Sequence, residues 1–279
     1  MRGSEDRPLY TFFQRLVPVL LAGLMLLPLD RSVSASTAQP VTDEVLIQSG
    51  RDLVLLTNRQ RTVGDLVTLR MDPDLMAIAR DRAEVMAATD TMSHTEPDGR
   101  NVFDRLTDAG LTWYGAGEII TWNNYPTGPL SVAESIRAWM ASPSHREIIL
   151  SGSYNYVGFG AAVSATGKHY YAGVFVKEPD KTVPWARLGS VSTRSVDAGH
   201  VRVTVRWSGG DPRLQVLTSG LRYFEVQWRA GGGEWRSWGT TTATAQTTIF
   251  ARRMNYQVRV RARDNAGNWG AWRTLSINL

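Results

Sequence analysis

The chain has 279 residues, a formal net charge of +5, 43% hydrophobic and 20% charged residues, and no cysteine. That length suits one large domain or two small ones, on a prior of about 100–200 residues each. The absence of thiols excludes disulfide staples, thiol catalysis and cysteine-held metal, so stability must come from apolar cores.

Residues 1–38 have the order of an export signal. Arg2, Arg7 and Arg15 lead into an apolar run at 16–29, and small residues offer cleavage after Ala35 or Ala38. The run is short of the roughly 20 apolar residues a spanning helix needs, and Pro18 and Pro28 interrupt it. A secreted protein is expected, extracellular or in the cell envelope, with no transmembrane span once the signal is removed.

From 41 to 178 helical and extended patterns alternate. Val45, Leu46, Leu53 and Leu56 recur at helical spacing. A second helix is predicted from Asp72 as N-cap and Pro73 in its first turn, with Leu75, Ile78, Ala79, Ala83 and Met86 on its apolar face. Another helix is expected to open at Ser131, with Glu134 completing a capping box. "YNYVGFGAAV" and "HYYAGVFVK" read as strands joined by the "SATG" turn. Gly158 and Gly160 lie within the first of these, so strand packing explains them better than a dinucleotide fingerprint. Helices flanking a few strands imply an α+β, three-layer domain.

Residues 179–195 contain two prolines and no periodicity, and read as a linker. Beyond them, residues 196–279 are expected to be all β. Val201, Val203, Val205 and Trp207 alternate with polar residues, as do Tyr256, Val258, Val260 and Ala262, so each strand should bury one face. Gly-rich turns between short strands predict a sandwich. "DNAGN" is too short for a calcium loop and reads as a hairpin turn.

The charge divides along the same line. Residues 41–194 hold 15 Lys/Arg against 18 Asp/Glu, whereas residues 195–279 hold 12 against 5. For an exported chain, the basic half fits an anionic cell-wall polymer or a membrane surface better than nucleic acid, and equally fits a basic surface with no partner. Arg259, Arg261 and Arg263 form a basic stripe on the wet face of one strand, which reads more simply as a solvated sheet face.

Several stretches in the first unit occur in a familiar order: "LLTNRQR", "LRMDPDLMAIARDRAEVMA", "MSH", "GAGEI", "RAWMASPSHREIIL", "YVGFGAAV" and "YYAGVF". Together they resemble the bacterial branch of the CAP superfamily of cysteine-rich secretory, antigen 5 and pathogenesis-related-1 proteins. The C-terminal half resembles a fibronectin type III domain, an immunoglobulin-like sandwich, through "FEVQWRAGGGEWRSW" and "YQVRVRARDNAGN". The first resemblance implies an α-β-α sandwich with a cleft lined by histidines and acidic side chains. Carried over motif by motif, it implies that His94, Glu118 and His145 converge there. Trp139, Ser142, Pro143 and Arg146 complete the segment around His145. Ile119 departs from the pattern, standing where the family commonly has Asn. "HYYAGVF" departs as well, so His169 is not expected to be essential.

Two imidazoles and a carboxylate could hold a divalent metal such as zinc, with a position open for water. The same trio could perform acid–base work, or merely tie loops together. No His-Glu-x-x-His helix and no Gly-x-Ser-x-Gly elbow is present. Trp113, Tyr114, Trp122 and Tyr125 either rim an apolar groove or cover the core. Three functions remain: binding of a lipid or other small apolar ligand in the cleft, metal-dependent hydrolysis of peptides or wall material, or adhesion alone with the first unit as scaffold. Binding is favoured because the sequence supplies no activated nucleophile. The C-terminal half would then be a spacer or adhesion module.

Overall fold

The computed structural model describes residues 41–279; the export signal read at 1–38 lies outside the described residues. Helix α1 (Asp43–Val63) is capped by Thr42. Its buried side is Ser49, Gly50, Leu53, Val54, Thr57 and Arg61, while Val45, expected on the apolar face, is 38% exposed. Helix α2 (Pro73–Thr89) starts as the sequence predicts: the Asp72 carboxylate accepts from the backbone N–H groups of Asp74 and Leu75, and Pro73 needs no acceptor. It ends at Asp90 in a left-handed conformation, φ +49°. Then come α3 (Val102–Asp108), α4 (Pro129–Ala141) and α5 (Pro143–Ile149).

Helix α4 corrects one expectation. It opens on Gly128 and Pro129, and Ser131 lies inside it, fully buried. The Ser131 hydroxyl bonds Asn123 and the Tyr171 hydroxyl, and Glu134 pairs with Arg137. A proline in the first turn takes the place of a capping box here.

The helices enclose a sheet of order β1-β3-β4-β2, formed by β1 (Arg70–Met71), β3 (Tyr156–Val163), β4 (His169–Lys177) and β2 (Gly115–Asn123). Strands β3, β4 and β2 are antiparallel neighbours, and β1 runs parallel to β3. Alternation on β3 assigns the faces. Phe159 and Ala161 join the core under α1 and α4, together with Leu53, Val132 and Trp139. Gly158 and Gly160 face α2 instead, where an added Cβ would come within 2.1 Å of Leu75 C and Arg80 N. No side chain fits between that helix backbone and the strand, which accounts for both glycines.

The second half is a two-sheet sandwich. One sheet has order β5-β6-β9 and the other β11-β10-β7-β8. The strands are β5 (Trp185–Ser195), β6 (His200–Gly210), β7 (Leu221–Ala230), β8 (Arg236–Thr241), β9 (Ala245–Ala251), β10 (Asn255–Asp264) and β11 (Arg273–Asn278). Val203, Val205, Val226, Val258 and Val260 are fully buried between the sheets, on the faces the alternation assigned. The segment read as a linker at 179–195 contains strand β5 from residue 185 onward. It pairs with β6 across a register shift between Leu188 and Val191, and that shift breaks the alternation a strand would otherwise display.

Residues 41–279 belong to one compact unit. The connection between β6 and β7 plugs into the helical half. Leu214, 2% exposed, packs with Leu75, Ile78, Tyr156 and Val176. The Gln215 side-chain carbonyl accepts from Val67 N at 2.7 Å, and Asn155 donates to Glu178 O and Val216 O. Truncating Leu214 to Ala should cost about 2–4 kcal/mol by removing a buried leucine. Calorimetry should then resolve two unfolding transitions where the parent chain gives one; a single transition in both would refute this coupling.

Candidate functional site

The candidate site lies at the free edge of the sheet, along β2. Alternation there sends Glu118 and Ile120 toward α2, and Gly117 and Ile119 toward α5 and α1. Ile119 is wholly buried in the α1/α4 core, so it does not line the cleft. Gly117 leaves room for Tyr154, whose hydroxyl would sit 2.9 Å from a Cβ at that position.

Arg82 from α2 organises the polar side. Its guanidinium is fully buried and donates from Nε to Glu118 Oε1 at 2.7 Å. It also donates to Glu96 Oε1 at 2.9 Å and to the Ser93 carbonyl at 2.8 Å. Arg105 of α3 completes the chain by donating to Glu96 Oε2 at 2.7 Å. Burial disfavours the Arg82 charge, but hydrogen bonds and the charges of Glu118 and Glu96 outweigh it and raise its pKa above the ordinary value. Glu96 is held below the usual carboxylate range, mainly by the hydrogen bond from Arg105, against the opposing effect of burial.

His94 follows α2 by a short loop and stands on this platform. Its Nδ1 lies 2.7 Å from Glu118 Oε2, with the imidazole 57% exposed and the carboxylate 3%. The carboxylate thereby fixes the ring and leaves Nε2 free to meet a ligand. His145 approaches from the first turn of α5. Its pKa is lowered, first by burial and then by the charge of His94, but His145 is not among the residues lining the cleft beside His94 and Glu118. A cleft of about 450 Å³ opens beside His94 and Glu118, with Asn101 at its rim and Val102, Phe103, Ile148 and Tyr154 along its apolar wall.

Other residues singled out in the sequence fall elsewhere. His169 pairs in register with Asn123, five residues beyond Glu118 on β2 or about 17 Å along the strand. It lies 2.5 Å from the Thr127 hydroxyl, away from the cleft lining. Trp139 is a core residue that donates to the Ile120 carbonyl. Trp113 stacks behind Phe103 with ring centres 6.0 Å apart, whereas Tyr114, Trp122 and Tyr125 are exposed away from the cleft wall. Arg82, Glu96 and Arg105 were not foreseen. Yet Arg82 lies seven residues after Leu75 on the apolar stripe of α2, and an arginine in that phase signals a buried acidic partner.

Of the two imidazoles and the carboxylate, Glu118 is already engaged by protein partners. Both Glu118 oxygens already accept from Arg82, and one also contacts His94. Among the described residues, a group of three acidic side chains with ligand atoms all within 4.8 Å of one another is formed by Asp180, Asp211 and Asp264, apart from His94, Glu118 and His145.

Replacing Arg82 by Met should cost roughly 3–5 kcal/mol, because it strands two carboxylates in the interior; urea unfolding measures this, and a loss below about 1 kcal/mol would contradict the assigned role. A second expectation concerns pH. The lowered pKa of His145 means that the folded state resists protonation there. Stability is therefore full above the unfolded value of 6.5 and is lost as the pH falls through the lower folded value. Between pH 7 and 5, His145→Gln should lose less stability than the parent chain; parallel curves would remove His145 from the account.

The family described as CAP, the cysteine-rich secretory protein family, matches residues 54–176. Over 116 residues the chain is 29% identical to the uncharacterized protein YkwD of Bacillus subtilis (strain 168), covering 42% of this chain and 43% of that protein. The chain thus spans less than half the length of that relative. An outer surface protein from Borrelia burgdorferi is similar over 50% of this chain and 96% of its own, with 20% identity and a TM-score of 0.43. An extracellular protein containing an SCP domain, from Bacillus anthracis str. Ames, is similar over 50% of this chain and 45% of its own, with 22% identity and a TM-score of 0.42.

Proposed function

Taking residues 54–176 as a CAP domain, we propose that the protein is exported and binds a small amphipathic ligand, such as a lipid, in the cleft at the β2 edge. One observation carries this reading: an exposed imidazole, fixed through Nδ1 by a buried carboxylate, stands at the polar end of a cleft with an aromatic and aliphatic wall. Nε2 of His94 meets the polar head, and Phe103, Ile148 and Tyr154 cover the apolar body.

Binding is favoured over turnover for a structural reason. Glu118 is paired with the buried Arg82, and its part in the site is to orient His94. The cleft lining offers Thr95, Asn101 and Tyr154 but no serine paired with either histidine. The engagement of both Glu118 oxygens by protein partners supports a reading in which binding needs no metal. The C-terminal sandwich, whose three-plus-four strand arrangement supports the fibronectin type III resemblance, serves as a spacer or adhesion module. Export rests on the arrangement of residues 1–38; among the described residues no helix is long and apolar enough to cross a membrane.

Delipidated protein titrated with a fluorescent fatty acid should bind it, with His94→Ala and Phe103→Ala each weakening affinity about tenfold and zinc having no effect. Turnover of casein or peptidoglycan that vanishes in both His94→Ala and His145→Ala would favour the hydrolase and defeat this reading.

A further inference from the structure

The outer face of the β8-β7-β10-β11 sheet carries a continuous stack of guanidinium groups and indoles. Arg229 and Arg259 lie 4.5 and 4.1 Å from the Trp235 ring centre. Arg259 also meets Trp272 at 4.3 Å, and Arg261 meets the same ring at 4.5 Å. Arg261 then reaches Trp269 at 3.9 Å, and Arg263 ends the row at 5.0 Å from that ring. Strand pairing builds this order. Gln257, Arg259, Arg261 and Arg263 on β10 lie opposite Arg229, Gln227, Glu225 and Tyr223 on β7. The intervening Val258, Val260 and Ala262 are completely buried, so the core fixes the register that aligns the arginines.

Four guanidiniums share a single carboxylate. Arg261 pairs with Glu225 at 2.6 Å, whereas Arg229 and Arg259 donate to the neutral Gln257 and Gln227, and Arg263 to the Tyr223 hydroxyl. Arg259 and Arg261 spend Nε and Nη2 in these cross-strand bonds, which leaves Nη1 of each available as a donor. Burial, then the charge of Arg261, lowers the pKa of Arg259, a sign of like-charge crowding that a bound anion would relieve.

We infer that this face docks a linear polyol-phosphate polymer, its phosphates running along the guanidinium row. Alternate residues on a strand lie about 7 Å apart, so the row suits a chain carrying one phosphate at about that interval. The edge that stays open, Nη1 with the second hydrogen of Nη2, matches phosphate in planar, bidentate geometry. Each indole already contacts two guanidiniums, so a nucleobase or sugar ring would have to compete with them for the ring faces. Stacking also orders the arginines before the polymer arrives, so less side-chain entropy is lost than on a loose basic surface. This site is separate from the cleft, and neither proposal depends on the other.

Isothermal calorimetry of the purified protein with poly(glycerol phosphate), single-stranded DNA and polygalacturonate tests the assignment. The phosphate polymer should bind at least about tenfold more tightly than the other two, and more weakly as salt rises. R259Q combined with R263Q should lose at least tenfold. R202Q combined with R206Q, two exposed arginines on β6 outside the stack, should lose less than about twofold. R259K keeps the charge but loses the fork and should also weaken binding. Equal binding of DNA or polygalacturonate, equal loss in the β6 pair, unchanged binding in either ladder variant, or no binding of the phosphate polymer would each overturn the proposal. The polymer comparison uses the unaltered chain, so it decides even where a ladder variant fails to fold.

Discussion

A single buried guanidinium holds the candidate site together. Arg82 is fully enclosed, and each of its bonds fastens a different part of the chain: Glu118 on the edge strand, Glu96 in the loop after α2, and the carbonyl of Ser93 next to His94. Such an ion in an apolar setting persists only when surrounded by compensating groups, because desolvation outweighs one isolated attraction. The network therefore works as a unit. It orders the loop that carries His94, and it pairs with the acid that positions the imidazole.

The sheet edge then determines which groups can meet. Glu118 and Gly117 are adjacent in sequence but point to opposite faces of β2, as the pleat requires. His94 reaches the edge from the α2 side, while His145 arrives from α5 on the other side. At the edge strand His94 meets Glu118 without crossing the sheet. Ile119 shows the reverse: its face is the core, and an isoleucine there contributes to packing.

The two halves of the molecule are joined by the same logic of burial. Leu214 leaves the sandwich to fill a hole in the helical core, and Gln215 supplies acceptors to Val67 and the buried Arg61. Beyond that joint the sandwich has a chemistry of its own. Its arginines are stacked in a row on one sheet face, whereas in the helical half the buried arginines are spent inside the fold.

Much of the fold was legible in order along the chain. Asp72-Pro73 marks a helix start, paired glycines within an extended pattern mark strand packing, and strict alternation marks half-buried strands, because each is a local consequence of backbone sterics or of one wet face. Strand β5 was not legible, since a register shift removes its period, and the Ser131 cap was misread because a proline begins the helix two residues earlier. His94, Glu118 and His145 were named through motif resemblance, not through spacing. What tertiary structure alone decided is the partner of each: that Arg82 takes Glu118, that His169 belongs elsewhere, and that three tryptophans interleave with four arginines. Local pattern specifies which face a side chain occupies, but the groups that meet across that face come from distant segments, and only the folded backbone brings them within hydrogen-bonding reach.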